Sequence, residues 1–188
     1  GDKTASKTLN RATDTTRQPG STFKILAAYS AALDAGGLTL ASVQDDAPYT
    51  YAGANGKSVN NYDRRYRGFT TLREAITDSI NIVTVKTLAQ AGVSLGWQYV
   101  QEYGFTTVDS RDMNEALALG GITQGVSNLE LTAAYAAIAN QGTYIKPKFY
   151  TKILDHDGNV LIDNTTPESH TVIKDTTAWL LTLSLIHI

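Results

Sequence analysis

The chain has 188 residues, 42% hydrophobic and 18% charged, which is enough apolar content for one ordinary globular core. Sixteen basic against eighteen acidic residues leave a formal charge of -2, too weak a field to draw nucleic acid or an anionic membrane surface. The lack of cysteine excludes disulfides, thiolate metal sites and cysteine nucleophiles, and no run of about 18 apolar residues is present to cross a membrane.

The opening GDKTASKTLNRATDTT is polar and rich in threonine, and reads as an exposed lead-in loop over residues 1–20. It has no basic and apolar leader, so the chain is expected either to be cytoplasmic or to lack its targeting segment. After the Pro19-Gly20 turn, TFKILAAYSAALDA (22–35) consists of good helix formers, is apolar on nearly every side and stops at Gly36-Gly37. Apolar character all round predicts a buried helix. Residues 38–70 hold AGANGKSVNNYDRRYRG and lack sustained periodicity, so they read as a long loop with short pieces of structure, and Arg64, Arg65 and Arg67 as its solvated face.

Thr71-Leu-Arg-Glu74 is a capping box that starts a helix through AITDS. A second helical stretch, INIVTVKTLAQAG, runs on to Gly92 from a junction at Ser79-Ile80-Asn81. SLGWQYVQEYG predicts another helix ending near Gly104, and Ser127-Asn-Leu-Glu130 is a second capping box opening LELTAAYAAIANQG. Residues 21–143 are therefore mainly helical. Residues 144–164 predict a β-hairpin turning at Asp157-Gly158, and DTTAWLLTLSL a terminal helix within 165–188. All of this fits a single domain. Of the three histidines, His156, His170 and His187, none has a second histidine at helical ligand spacing, so no metal site is expected.

Lys24 is the anomaly in the buried helix, because a buried ammonium is costly unless paired or deprotonated. It lies one turn beyond Ser21, close enough for its amine to reach the serine hydroxyl. Burial near a helix N-terminus pushes an amine toward its neutral form, which suits a general base. Ser21 also fits a simple helix N-cap, and Ser-x-x-Lys alone is a weak signal. Ser79 and Asn81 at the helix junction offer a hydroxyl to relay a proton and an amide to hold a substrate backbone. Ser58-Val59-Asn60 has the same Ser-x-Asn form but lies in the loop; a junction fixed by packing is the better place for a relay, which favours Ser79.

Ser-x-x-Lys followed by Ser-x-Asn resembles the motif set of penicillin-binding proteins and serine β-lactamases. The segments NRATDTTRQPGSTFK, NNYDRRYRGFTTLREAITDSINIVTVKTLAQAG and ALGGITQGVSNLELTAAYAAIANQGTYIKP each resemble the transpeptidase domain of class A penicillin-binding proteins, in family order, over nearly the whole chain from Asn10 to about Ala178. The resemblance implies an α/β fold of the α+β kind, serine β-lactamase/transpeptidase-like, with a helical lobe on an antiparallel sheet that is largely missing here. It implies a peptidoglycan DD-transpeptidase in which Ser21 is acylated, Lys24 is its base, Ser79 relays the proton and Asn81 holds the substrate amide. No cofactor or metal is implied. The implied partners are a D-Ala-D-Ala stem peptide, an acceptor amine and β-lactams as covalent inhibitors, with no nucleic acid. The implied location is the extracytoplasmic face of the bacterial membrane, with contact to the membrane only through an N-terminal anchor outside this chain.

The family's Lys-Thr-Gly element does not occur: Lys3-Thr4, Lys7-Thr8 and Lys86-Thr87 are the Lys-Thr pairs, and none precedes glycine. The sequence therefore reads as a piece truncated at both ends and inactive alone, its buried helix missing sheet partners. Rival expectations are a β-lactamase or β-lactam sensor, distinguished by how long a penicillin label persists, and a non-catalytic cell-wall binding fragment, which would form no covalent product.

Overall fold

The computed structural model describes residues 8–52 and 56–186. The start of the lead-in loop with Lys3-Thr4 and Lys7, part of the AGANG turn, and His187 lie outside the described residues.

The apolar segment after Pro19-Gly20 is buried throughout, with Phe23 to Ala32 at most 4% exposed. It is not one α-helix. A 3-10 turn, Gly20–Thr22, leads into a π-helical stretch, Lys24–Tyr29, and then α1, Ser30–Asp34. At the π-to-α boundary the Ser30 amide and hydroxyl both donate to the Ile25 carbonyl, five residues back. Helix propensity carries no signal for such widening, which concentrates at functional sites. The other hydroxyls on this segment are partnered: Tyr29 shares a hydrogen bond with Thr84 (2.8 Å) and Ser30 with Tyr103 (2.9 Å).

Two helices start at the capping boxes, both formed reciprocally: α2, Leu72–Thr77, from Thr71 and Glu74, and α5, Asn128–Ala139, from Ser127 and Glu130. Helices α3 (Asn81–Ala91) and α4 (Val93–Glu102) pack on the buried segment, and α6 (Asp175–Leu185) packs on α2 and α5. Gly96 lets α4 approach closely, since a Cβ there would stand 2.6 Å from the Ala27 carbonyl oxygen.

Strands form five separate antiparallel pairs among the described residues, with no larger sheet. β1 (Thr16–Arg17) pairs with β6 (Val126–Ser127) beside the turn that carries Ser21. The 38–70 region holds two of the pairs, β2 (Val43–Asp46) with β5 (Gly68–Thr71), and β3 (Tyr49–Thr50) with β4 (Ser58–Val59). The Asp-Gly hairpin is β8 (Lys152–Leu154) with β9 (Val160–Asp163). Thr143–Ile145 is a separate strand, β7, paired with β10 (Ser169–Thr171) in the stretch read only as the approach to a helix. The expectation that the Lys24 helix would lack partners is corrected: described elements bury it from Phe23 to Ala32. Exposed large apolar side chains lie instead on α6, where Trp179 is 63% exposed, on the β8–β9 hairpin, and at scattered positions such as Tyr62, Phe69 and Phe149.

Candidate active site

Lys24 organises the site. Its side chain is 3% exposed, and burial pulls its pKa down to about 8. Its Nζ donates to the Ser79 carbonyl oxygen (2.6 Å), to Ser79 Oγ (2.9 Å) and to Asn81 Oδ1 (2.6 Å). Three acceptors match the three protons of an ammonium. The expected approach of Ser79 to Lys24 thus exists, with the hydroxyl well inside the reach of one bridging water, and Asn81 joins it on the same amine.

Ser79 is exposed and sits in the left-handed region, at φ +53°. It ends α2 in a Schellman arrangement, with the Ile80 amide donating to the Ala75 carbonyl (2.9 Å) and the Ser79 amide to Ile76 (3.2 Å). Glycine or asparagine normally takes such a position, because a Cβ there costs on the order of 1 kcal/mol or more. A serine held against its backbone preference, with its hydroxyl on a buried lysine, is local strain of the kind that concentrates at functional sites.

Ser21 lies exposed on the 3-10 turn and shares a cavity of about 220 Å³ with Lys24 and Ser79, walled by Ile76, Tyr135 and Leu185. Among the described residues its hydroxyl makes no hydrogen bond. The anticipated Ser21–Lys24 contact is therefore not made: the amine turns to Ser79 and Asn81, where two carbonyl-type oxygens offer an ammonium better partners than a hydroxyl. Tyr135 closes the wall, its hydroxyl donating to the Thr22 carbonyl (2.7 Å), and burial pushes its pKa up to about 12.

The turn carrying Ser21 is held from outside. Gln18 Oε1 accepts the Ile122 amide (3.0 Å) and Gln18 Nε2 donates to the Ile122 carbonyl. Gly120, at φ +73°, lies so close that a Cβ would stand 2.5 Å from the Gly20 carbonyl oxygen. Nothing local in the sequence marks Gln18, Gly120 or Tyr135 for these roles. Ser58 is exposed on β4 and does not reach Lys24, but its neighbours take part: the Asn60 carbonyl accepts from Asn81 Nδ2 (2.7 Å), and Asn61 Oδ1 accepts the Asn81 amide (3.0 Å).

His156 lies on the β8–β9 turn beside Asp157 (3.0 Å), and His170 Nε2 is 2.8 Å from the Glu102 carbonyl oxygen. Among the described residues no three His, Asp or Glu side chains form a metal-binding group, and no helix is long and apolar enough to cross a membrane.

A family model, the penicillin binding protein transpeptidase domain, matches residues 1–187. Penicillin-binding protein 1F of Bacillus subtilis is 40% identical over 180 residues, covering 96% of this chain and 24% of that protein. Penicillin-binding protein 1A of Neisseria flavescens is 41% identical over 160 residues, covering 82% and 19%. The chain thus spans a quarter or less of these relatives. Among solved structures, penicillin-binding protein 1A of Haemophilus influenzae superposes with a TM-score of 0.81 at 29% identity, over 94% of this chain and 30% of that one. The penicillin G acyl-enzyme of penicillin-binding protein A from Mycobacterium tuberculosis gives 0.82 at 22% identity, over 99% and 47%, a likeness of fold. The α+β architecture, the buried Lys24 between Ser21 and Ser79-Ile80-Asn81, and the match over nearly every residue agree, and the chain belongs to the penicillin-binding protein transpeptidase domain family.

Proposed function

We propose that this chain forms the acyl-transfer centre of a peptidoglycan DD-transpeptidase working outside the cytoplasmic membrane, with Ser21 as nucleophile, Lys24 as base, Ser79 as proton relay and Asn81 as holder of the substrate amide. The observation that carries the reading is the buried Lys24 amine, pulled down to about 8 and fixed at 2.9 Å from Ser79 Oγ beside Ser21.

The chemistry follows from donor counting. A neutral Lys24 keeps two N–H bonds, enough for the Ser79 carbonyl and Asn81 Oδ1. Its lone pair is then free to take the Ser21 proton as Oγ attacks the carbonyl carbon of the penultimate D-Ala. Passed on through Ser79 Oγ, that proton leaves with the terminal D-Ala amine, and an ester to Ser21 remains. An incoming amine attacks the ester, its proton returns along the same route to Ser21 Oγ, and a cross-link forms. A β-lactam acylates the same oxygen by ring opening, with no leaving group to depart. With no Lys-Thr-Gly element in the sequence, recognition of the substrate carboxylate is assigned to no residue of this chain.

The test supplies the intact gene product with a D-Ala-D-Ala-ended pentapeptide and an amine acceptor. The reading expects released D-Ala matched by new amide product, both absent in Ser21→Ala. Hydrolysis of a penicillin with turnover and no transfer would point instead to the β-lactamase alternative, and no covalent product at all to a binding module.

A further inference from the structure

Behind the catalytic lysine lies a buried polar pair that the chemistry above does not use. Asn61 is 4% exposed and Asp46 0%, and they meet under the N-terminal turn of α3. Asn61 Nδ2 donates to both carboxylate oxygens of Asp46 (2.8 and 3.0 Å) and to the Arg65 carbonyl (2.9 Å). Asn61 Oδ1 accepts the backbone amides of Asn81 (3.0 Å) and Ile82 (3.2 Å). The Arg67 amide completes the carboxylate at 2.9 Å from Asp46 Oδ2.

Helix α3 begins at Asn81, and Ile80 at its cap position has no side-chain acceptor for the first amides. Asn61 supplies that acceptor from twenty residues upstream, and its orientation is fixed: its amino group faces a carboxylate and its oxygen faces two N–H donors, so the flipped arrangement would oppose like to like on both sides. The capped amides belong to Asn81 itself, whose Oδ1 holds Lys24 Nζ, and to the residue after it. The other half of the Lys24 cradle, Ser79, is held only by its strained turn two residues earlier.

We propose that Asn61 and Asp46 are positioning residues for acylation: Asp46 orients Asn61, and Asn61 locks the first turn of α3 so that Asn81 and Ser79 present their oxygens to Lys24. The inference rests on the proposed roles of Ser21 and Lys24. A shift of about 1 Å in such a constellation slows chemistry by up to about a hundredfold, whereas stability loses the α3 cap and two of the three hydrogen bonds to the buried Asp46 carboxylate.

The experiment measures, on the intact gene product, the limiting acylation rate constant and the dissociation constant of the preceding non-covalent complex with a fluorescent penicillin, together with the melting temperature. Asn61→Ala should slow limiting acylation roughly 10- to 100-fold and change the non-covalent constant less than about threefold. Ile173→Ala, a core truncation outside the cavity lining, serves as the stability control and should cost comparable stability without slowing acylation. Asn61→Asp sets two carboxylates face to face and should be the slowest variant; adding Asp46→Asn restores a donor–acceptor contact between the two side chains, leaving only the Arg65 carbonyl without its donor, and should recover part of the rate. Asn61→Ala acylated at the wild-type rate, no recovery in the double variant, or equal slowing in Ile173→Ala overturns the positioning role and leaves Ser21 and Lys24 standing. A wild type that is never acylated overturns the reading beneath, and this inference with it.

Discussion

Acylation should follow the protonation state of Lys24. Only the neutral amine has a lone pair for the Ser21 proton, and with its pKa at about 8 about one-tenth of the protein is competent at pH 7 and about one-hundredth at pH 6. The limiting acylation rate should therefore climb about tenfold per pH unit to near pH 8 and then level off. The same titration has a signature in stability. Unfolded, Lys24 keeps its proton to about pH 10.5, while folded it releases it near 8, so between those values unfolding takes up a proton and stability rises with pH. The drop from 10.5 to about 8, at 1.36 kcal/mol per pKa unit, amounts to about 3 kcal/mol of penalty that is present in full below pH 8 and relieved as pH climbs to 10.5. Buried Tyr29 and Tyr103 act oppositely above pH 10, since burial pushes their hydroxyls up, so the quantity to plot is wild type minus Lys24→Met. Denaturant unfolding at pH 7 to 10.5 and fluorescent-penicillin kinetics at pH 6 to 9.5 supply the data. A flat rate profile, or the same pH dependence of rate or stability in Lys24→Met, would refute the assignment of the base.

Ser79→Gly and Ser79→Ala should both slow acylation by about a hundredfold, having lost the relay hydroxyl, yet chemical denaturation should find the glycine variant more stable than the alanine by about 1 kcal/mol, because only glycine relieves φ +53°. Gly120→Ala should lower stability by at least about 1 kcal/mol and slow acylation, since its Cβ meets the backbone of Gly20 under Ser21; melting and labelling rates check this. Ser58→Ala, on exposed β4, should label at the wild-type rate.

What was legible in the sequence was what neighbouring residues encode. Thr71 with Glu74 and Ser127 with Glu130 specify their helix starts within four residues, and both capping boxes form. Lys24 stood out because a lysine in an apolar helix violates burial rules, and a rule broken locally marks a site. The π-helical widening after Phe23 was hidden, because Lys24–Tyr29 uses residues that suit an α-helix equally well. Ser79's positive φ was hidden too: a serine gives no sign that it sits where glycine is preferred. Asn61 capping α3, Gln18 bridging Ile122 and β7 pairing with β10 join segments far apart in the chain, and such pairings leave no periodicity or spacing to read. The same holds for Lys24's choice of Ser79 over Ser21, which depends on where α2 ends.

The most direct test of the account is the address of the acyl group. Intact-mass measurement of the gene product after brief exposure to benzylpenicillin, followed by tryptic digestion and fragmentation of the Gln18–Lys24 peptide, locates the adduct to one residue. A single penicilloyl group should sit on Ser21, absent in Ser21→Ala and formed far more slowly in Lys24→Met; an adduct on Thr22 or on any other residue, or no adduct on a folded wild-type protein, would contradict Ser21 as the nucleophile.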